Sequence, residues 1–223
     1  MSETQMTETG FMGKITAATT HDMKNVLAII KESAGLMEDL LALQQDLPAQ
    51  LQERLSRVAN NINQQVQRGV DLATRLNAFA HGSDQTIAEV DLNLVADQVV
   101  CLAERFARLR NVSLKALAEN RPVILVTDPL KIQMLIFECI DLLLSAVETK
   151  TTIRVQPVQR ADGSVMLEFS SEETKQEENR QITDLGTSPR WAVLKEVAQS
   201  LNGAIQTDSA PGRLTVTFES GSL

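Results

Sequence analysis

Thr19-Thr20-His21-Asp22-Met23-Lys24-Asn25-Val26-Leu27-Ala28-Ile29-Ile30 lies inside a proline-free run, Phe11 to Gln45, rich in Ala, Leu, Met, Lys and Glu. At about 100° per residue this run is a helix that sorts its residues by face. Lys14, His21, Asn25 and Glu32 fall on one polar stripe, and Ile15, Val26, Ile29, Ile30, Met37 and Leu40 gather on a neighbouring apolar face. The imidazole of His21 is therefore expected to face solvent beside a helix-packing seam. A single histidine on an amphipathic helix is usually an ordinary surface residue. Its neighbours give it chemistry: a neutral imidazole is a competent nucleophile near neutral pH, an adjacent carboxylate (Asp22) can fix its tautomer, and an amide one turn on (Asn25) can hold a water.

Working outward, Asp46-Leu47-Pro48 ends the first helix, because proline disfavours helix in the residue before it and suits the first turn of the next. A second helix follows to about Ala80, with Leu51, Leu55, Val58, Ile62, Val66, Val70, Leu72, Leu76 and Phe79 close to a 3–4 spacing, and Gly82 stops it. Two long helices and a short turn make an antiparallel hairpin whose wide apolar stripe cannot be buried by one hairpin alone. Pairing two hairpins into a homodimeric four-helix bundle covers it. The competing solution packs the hairpin on the domain that follows.

After Gly82-Ser83-Asp84 the periodicity changes. Strands are expected at Ala88–Asp91, Val112–Ala116 and Val123–Val126, and helices at about Leu92–Arg110 and Pro129–Glu148. A strand hairpin, Thr152–Val158 and Val165–Phe169, turns at Ala161-Asp162-Gly163-Ser164. A polar segment, Ser170–Thr187, precedes a helix at Pro189–Leu201 and strands at Ala204–Thr207 and Arg213–Glu219. Mixed strands with helices on one face make an α+β sandwich. The organisation expected is a disordered N-terminus, 1–10, a helical hairpin, 11–82, and the sandwich, 86–223.

The 223 residues are 43% hydrophobic, enough for a real core, and the net charge is −8. An acidic chain offers no positive surface to nucleic acid or to anionic membrane, so neither is expected as a partner. Cys101 and Cys139 lie far apart in apolar helical patterns, which argues against a disulfide framework, and without a C-x-x-C pair or histidine cluster no structural zinc is expected. Met1–Gly10 lacks the basic start and apolar core of a signal peptide, and the most apolar window, Met134–Val147, contains Glu138 and Asp141 and is too short to span a bilayer. A cytoplasmic location is the expectation.

The pattern H-D-x-x-N at His21-Asp22-Met23-Lys24-Asn25, with the apolar run after it, resembles the H-box of two-component sensor histidine kinases and of the phosphotransferases derived from them. The resemblance implies that His21 is the phosphorylated residue, that Asp22 assists proton removal, and that Asn25 orients a water when the helix works as a phosphatase. The order of elements after the hairpin is similar to the ATP-binding domain of those kinases, the Bergerat fold of GHKL ATPases. Asp128-Pro129 before Lys131-Ile132 resembles the start of the family's N-box. Gly186 to Lys195, Leu201 to Ile205 and Ala210 to Phe218 track its last helix and hairpin.

Departures from that pattern shape the functional expectation. Aligned from Asp128-Pro129, the N-box asparagines correspond to Glu138 and Leu142, or in another register to Asp141 and Ser145, so the magnesium-binding amide is missing. Where the D-x-G-x-G box belongs stands Ser170-Ser171-Glu172-Glu173-Thr174, and the lid glycines reduce to Gly186 in Gly186-Thr187-Ser188-Pro189-Arg190. The chain is thus expected to bind no ATP and to resemble ChpT-like or sporulation-type histidine phosphotransferases, shuttling phosphoryl between response-regulator receiver domains through His21. Lys14, Lys24 and Glu32 are the expected partner-binding residues around Asp22 and Asn25. No cofactor or metal is expected on this chain, the receiver supplying Mg2+. A non-catalytic pseudokinase-like adaptor and a receiver phosphatase using Asn25 are the alternatives.

Overall fold

A computed structural model describes residues 7–42, 49–81, 86–173, 189–207 and 212–219. The expected stops at Asp46-Leu47-Pro48 and Gly82-Ser83-Asp84, the segment from Thr174 to Ser188 with Gly186, and Ala210-Pro211 fall outside these residues. The fold is α+β, two long helices followed by a sandwich of mixed sheet and helices. Its compact units are Lys14–Ala78 on one hand and, on the other, Met1–Gly13 together with Phe79–Leu223.

Helix α1 is Glu8–Ala42 and α2 is Ala49–His81. The first begins three residues before the periodicity suggests, and within the stretch expected to be disordered, because Thr7 caps it. The Thr7 hydroxyl accepts from the Gly10 amide at 3.1 Å, satisfying one end donor that a helix leaves orphaned, and its carbonyl takes the first helical bond from the Phe11 amide at 2.8 Å. The helices run antiparallel along one another in the hairpin unit. Asn61 Nδ2 donates to Ser33 Oγ at 3.0 Å, and a Cβ built on Gly69 would stand 3.3 Å from a Val26 methyl, so the partner of a later residue on α1 is an earlier one on α2.

In the sandwich, β1 (Ala88–Asp91) pairs antiparallel with β3 (Ile124–Thr127) as a two-stranded sheet. The main sheet has five strands, β2 (Ser113–Ala116), β4 (Thr151–Gln159), β5 (Val165–Glu173), β6 (Gly203–Thr207) and β7 (Arg213–Phe218), in the order β2-β4-β5-β7-β6. Only β2 and β4 are parallel; the remaining neighbours are antiparallel. Alternation decides the faces: Ile153, Val155, Leu167, Phe169, Leu214, Val216 and Phe218 point into the core. Gly203 sits opposite Phe218 in the register, and any Cβ there would lie 2.7 Å from the Phe218 ring, so the strand needs a residue without one.

Three helices cover that face: α3 (Leu92–Leu109), α4 (Pro129–Ala146) and α5 (Pro189–Ser200). The two Asp caps are built alike. Asp91 accepts from the Asn93 amide at 3.0 Å, and Asp128 accepts from the Leu130 and Lys131 amides, each at 3.0 Å, with Pro129 in the first helical turn where its missing N–H costs nothing. α3 is amphipathic and buries Leu92, Val95, Ala96, Val99, Val100, Leu102, Ala103 and Ala107. α4 is apolar nearly all round and buried nearly all round, as such a helix must be.

One flank of α4 is sealed by aromatic rings. Phe137 lies 5.3 Å from Phe106 of α3 and 5.3 Å from Phe11 at the start of α1, which in turn meets Phe79 near the end of α2 edge to face at 5.4 Å. This is why the first residues of α1 and the last of α2 belong to the sandwich unit. The sheet differs from expectation at one place: Ser170–Glu173, expected as the start of a polar loop, continue β5 and pair with Thr151–Arg154 of β4, Arg154 forming an ion pair with Glu172.

Phe137→Ala should cost about 3–5 kcal/mol, the range for truncating a fully buried ring, read as a lowered urea midpoint of the sandwich. Burial, reinforced by Glu138, raises the Cys139 thiol well above its ordinary pKa, so little thiolate forms there at pH 8. A maleimide should therefore label half-buried Cys101 in the native protein and reach Cys139 only on unfolding, as peptide mass mapping would show.

Candidate functional site

The pitch of α1 alone brings His21, Asp22 and Asn25 together, since residues four apart are neighbours on a helix surface. Asn25 Nδ2 stands 3.2 Å from His21 Nδ1, and Asp22 Oδ1 stands 3.8 Å from the same nitrogen. The His21 side chain is 52% exposed and that of Asp22 only 10%. Asp22 is turned about 100° from the ring, onto the side of α1 that buries Ile15, Ala18, Thr19, Val26 and Ser33. The ring is thus presented to solvent while its carboxylate neighbour is held in a drier row.

That row fixes the helix beneath the ring. Thr19 folds its hydroxyl back onto the Ile15 carbonyl at 2.9 Å, a bond that spares a buried donor. Val26, one residue after Asn25, fits against Gly69 of α2, and the absence of a side chain at Gly69 lets the helices approach closely. The Ser33–Asn61 bond satisfies a buried hydroxyl two turns further on. Thr19, Ser33, Asn61 and Gly69 were not among the residues singled out from sequence. A glycine in an otherwise continuous helical pattern is the one signal that could have found the close approach.

The other candidates are spread along the helix. Lys14 is half-buried and Glu32 exposed, both on the His21 side but seven residues before and eleven after it, about 10 Å and about 16 Å along the axis. Lys24 is exposed on the opposite flank of His21 from Asp22. The three can serve one docked partner only if it covers several turns of α1.

In the sandwich, the positions aligned with a nucleotide site are filled differently. Leu142 is 2% exposed and part of the core. Asp141 is buried and ion-paired with Arg190 of α5 at 3.2 Å, and the Ser145 hydroxyl donates to the Leu142 carbonyl at 2.6 Å. Trp191 is buried in the core, with the Lys195 ammonium 5.8 Å from its ring centroid. An aliphatic side chain in the core offers no ligand to a hard cation, and a carboxylate already matched by a guanidinium is a poor substitute for an amide. No helix among the described residues is long and apolar enough to cross a membrane.

No family model matches the chain, and no curated protein is similar to it. Solved structures do align with it. The Acinetobacter baumannii histidine kinase AdeS aligns at 15% identity over 91% of this chain and 98% of that one, with a TM-score of 0.48. A histidine kinase from Burkholderia phymatum aligns at 18% identity over 87% and 96% of the two chains, with a TM-score of 0.45. The histidine kinase ThkA, in a complex with the response regulator protein TrrA, aligns at 17% identity over 93% and 60%, with a TM-score of 0.46.

Replacing the exposed ring by His21→Ala should leave the free energy of unfolding within about 0.5 kcal/mol of wild type, as for surface changes generally. Gly69→Leu, which drives a side chain into Val26, should cost about 1–3 kcal/mol by overpacking; differential scanning calorimetry compares the two.

Proposed function

We propose that this protein is a histidine phosphotransferase of the two-component type, taking phosphoryl from the aspartate of one response-regulator receiver domain onto His21 and passing it to another. The observation that carries the proposal is the combination of a half-exposed imidazole, flanked at Nδ1 by Asp22 and Asn25, with a sandwich in which Leu142 is in the core and Asp141 is paired with Arg190. Such a chain keeps the phosphoacceptor and lacks the means of charging it from ATP. On this reading a helical hairpin followed by an α+β sandwich would serve as in the ChpT-like and sporulation-type phosphotransferases that the sequence resembles.

The chain's own residues divide the work as follows. His21 supplies the nucleophile, and its exposure leaves room for a receiver aspartyl phosphate to approach. Asp22 compensates the charge that the ring gains on phosphorylation, which its sheltered position strengthens relative to a carboxylate in open water. Lys14, Lys24 and Glu32 are the docking residues along α1. The metal that offsets charge in a loose phosphoryl-transfer transition state belongs to the receiver's acidic pocket.

We further propose a homodimer through the hairpins. Leu27 (59% exposed), Leu36, Val66 and Val70 (53% exposed) stand open on α1 and α2 in a single chain, while Ile29, Ile30, Met37, Leu55, Val58 and Ile62 are only half covered. Apolar surface of that extent on a helix pair is what a second hairpin would bury.

Incubation with phosphorylated receiver domains should place an acid-labile, base-stable label on the wild type and none on His21→Ala, with receiver binding retained. Binding without label on either would favour the adaptor reading, and loss of receiver phosphate without label would favour a phosphatase. Sedimentation at micromolar concentration should give the dimer mass, and the double change Val66→Asp with Val70→Asp should give the monomer, since paired charges in such a seam have no partners.

A further inference from the structure

We propose that Asn25 is a tautomer selector for His21: its carboxamide decides which ring nitrogen carries the proton, and hence whether Nε2 can act as a nucleophile. The inference deepens the phosphotransfer reading and takes its chemistry from that reading, but the geometry stands without it. Two side chains converge on His21 Nδ1, the Asn25 amide nitrogen at 3.2 Å and Asp22 Oδ1 at 3.8 Å. They ask opposite things of the ring.

An amide NH2 can only donate, so with Nδ2 against it Nδ1 must be a bare lone pair. The single proton of the neutral ring is then on Nε2, which has no lone pair left for attack. A carboxylate can only accept, so Asp22 favours the proton on Nδ1 and a lone pair on Nε2. With Nδ2 turned to the ring, the amide lies at hydrogen-bond distance and the carboxylate beyond it. Asn25 itself is exposed, and the oxygen and NH2 ends of a carboxamide are nearly alike in size. A half-turn about its last side-chain bond therefore exchanges donor for acceptor at Nδ1 without displacing a neighbour. With the oxygen inward, Asn25 and Asp22 act together and Nε2 is released as a base and nucleophile.

In the transfer step, the Nε2 lone pair forms the N–P bond while the P–O bond of the receiver's acyl phosphate breaks and the receiver carboxylate leaves with the electron pair. The ring becomes a phosphoimidazolium, its Nδ1 proton held by the Asn25 carbonyl oxygen with the Asp22 charge close by. Return to a second carboxylate reverses each change. Asn25 touches neither phosphorus nor leaving group in this scheme and is a positioning residue.

The test reads the proton directly. With only two histidines in the chain, the His81→Gln background leaves the His21 ring as the one imidazole in a long-range 1H–15N spectrum of the full chain. At alkaline pH, where histidine rings are neutral, the unmodified Asn25 protein should show the unprotonated, downfield nitrogen at Nδ1. Asn25→Asp, which puts an acceptor-only group in the same place, should move the downfield resonance to Nε2, and Asn25→Ala should shift the population the same way by leaving Asp22 unopposed. The parent protein already protonated on Nδ1, or a pattern unchanged in both variants, would overturn the proposal. Circular dichroism of each variant confirms that the helix persists, and the solvent position of Asn25 makes two unfolded variants a result against the geometry. The spectrum needs no receiver, so the tautomer shift seen in a protein that never accepts phosphoryl would retract the transfer reading and leave the selector standing.

Discussion

Helix α4 has no polar face, and the sandwich is arranged to keep water from it. The main sheet takes one side, α3 and α5 take others, and the remaining flank is closed by Phe11 and Phe79 against Phe137. A helix of ordinary amphipathic character could have left that flank to solvent; this one cannot without exposing a large aromatic ring. Leu142 is in the core, Asp141 is matched by Arg190 of α5, and the Ser145 hydroxyl turns back onto the Leu142 carbonyl of α4 itself.

Most of this architecture can be read from the sequence because local chemistry and global packing agree in it. Asp91 before Leu92 and Asp128-Pro129 before Leu130 are cap signals that the helices use in the way their chemistry suggests. The alternation in Thr151–Gln159 marks a strand with one buried face, and Asp162 with Ser164 closes the turn after it, the Ser164 hydroxyl and amide holding the Asp162 carboxyl below its ordinary pKa. Reading fails where a partner far along the chain overrides local character. Ser170-Ser171-Glu172-Glu173 has the composition of a loop, yet its backbone completes a ladder with β4 and its charge is answered by Arg154.

The candidate site divides along the same line. Helical periodicity is enough to place His21 and Asn25 on a polar stripe. It does not reveal that Asp22, one step round the helix, is turned toward the buried row, because that depends on which side α2 occupies. Nor does it reveal that the Asn25 amide contacts the ring, since composition cannot tell a side chain that holds water from one that holds its neighbour. Electrostatics at such a site depends on these small rotations more than on the identity of the residues. A carboxylate in a sheltered row acts on the ring through a lower effective dielectric than one in open water, and a carboxamide can present either end of its dipole.

The aromatic seal on α4 also has a consequence for how the chain is made. Phe11 is synthesised 126 residues before its partner Phe137. At synthesis rates of about 5–20 residues per second, the start of α1 waits roughly ten seconds before the surface that buries it exists. During that interval the growing chain carries an aromatic ring that has not yet met the helix it will seal.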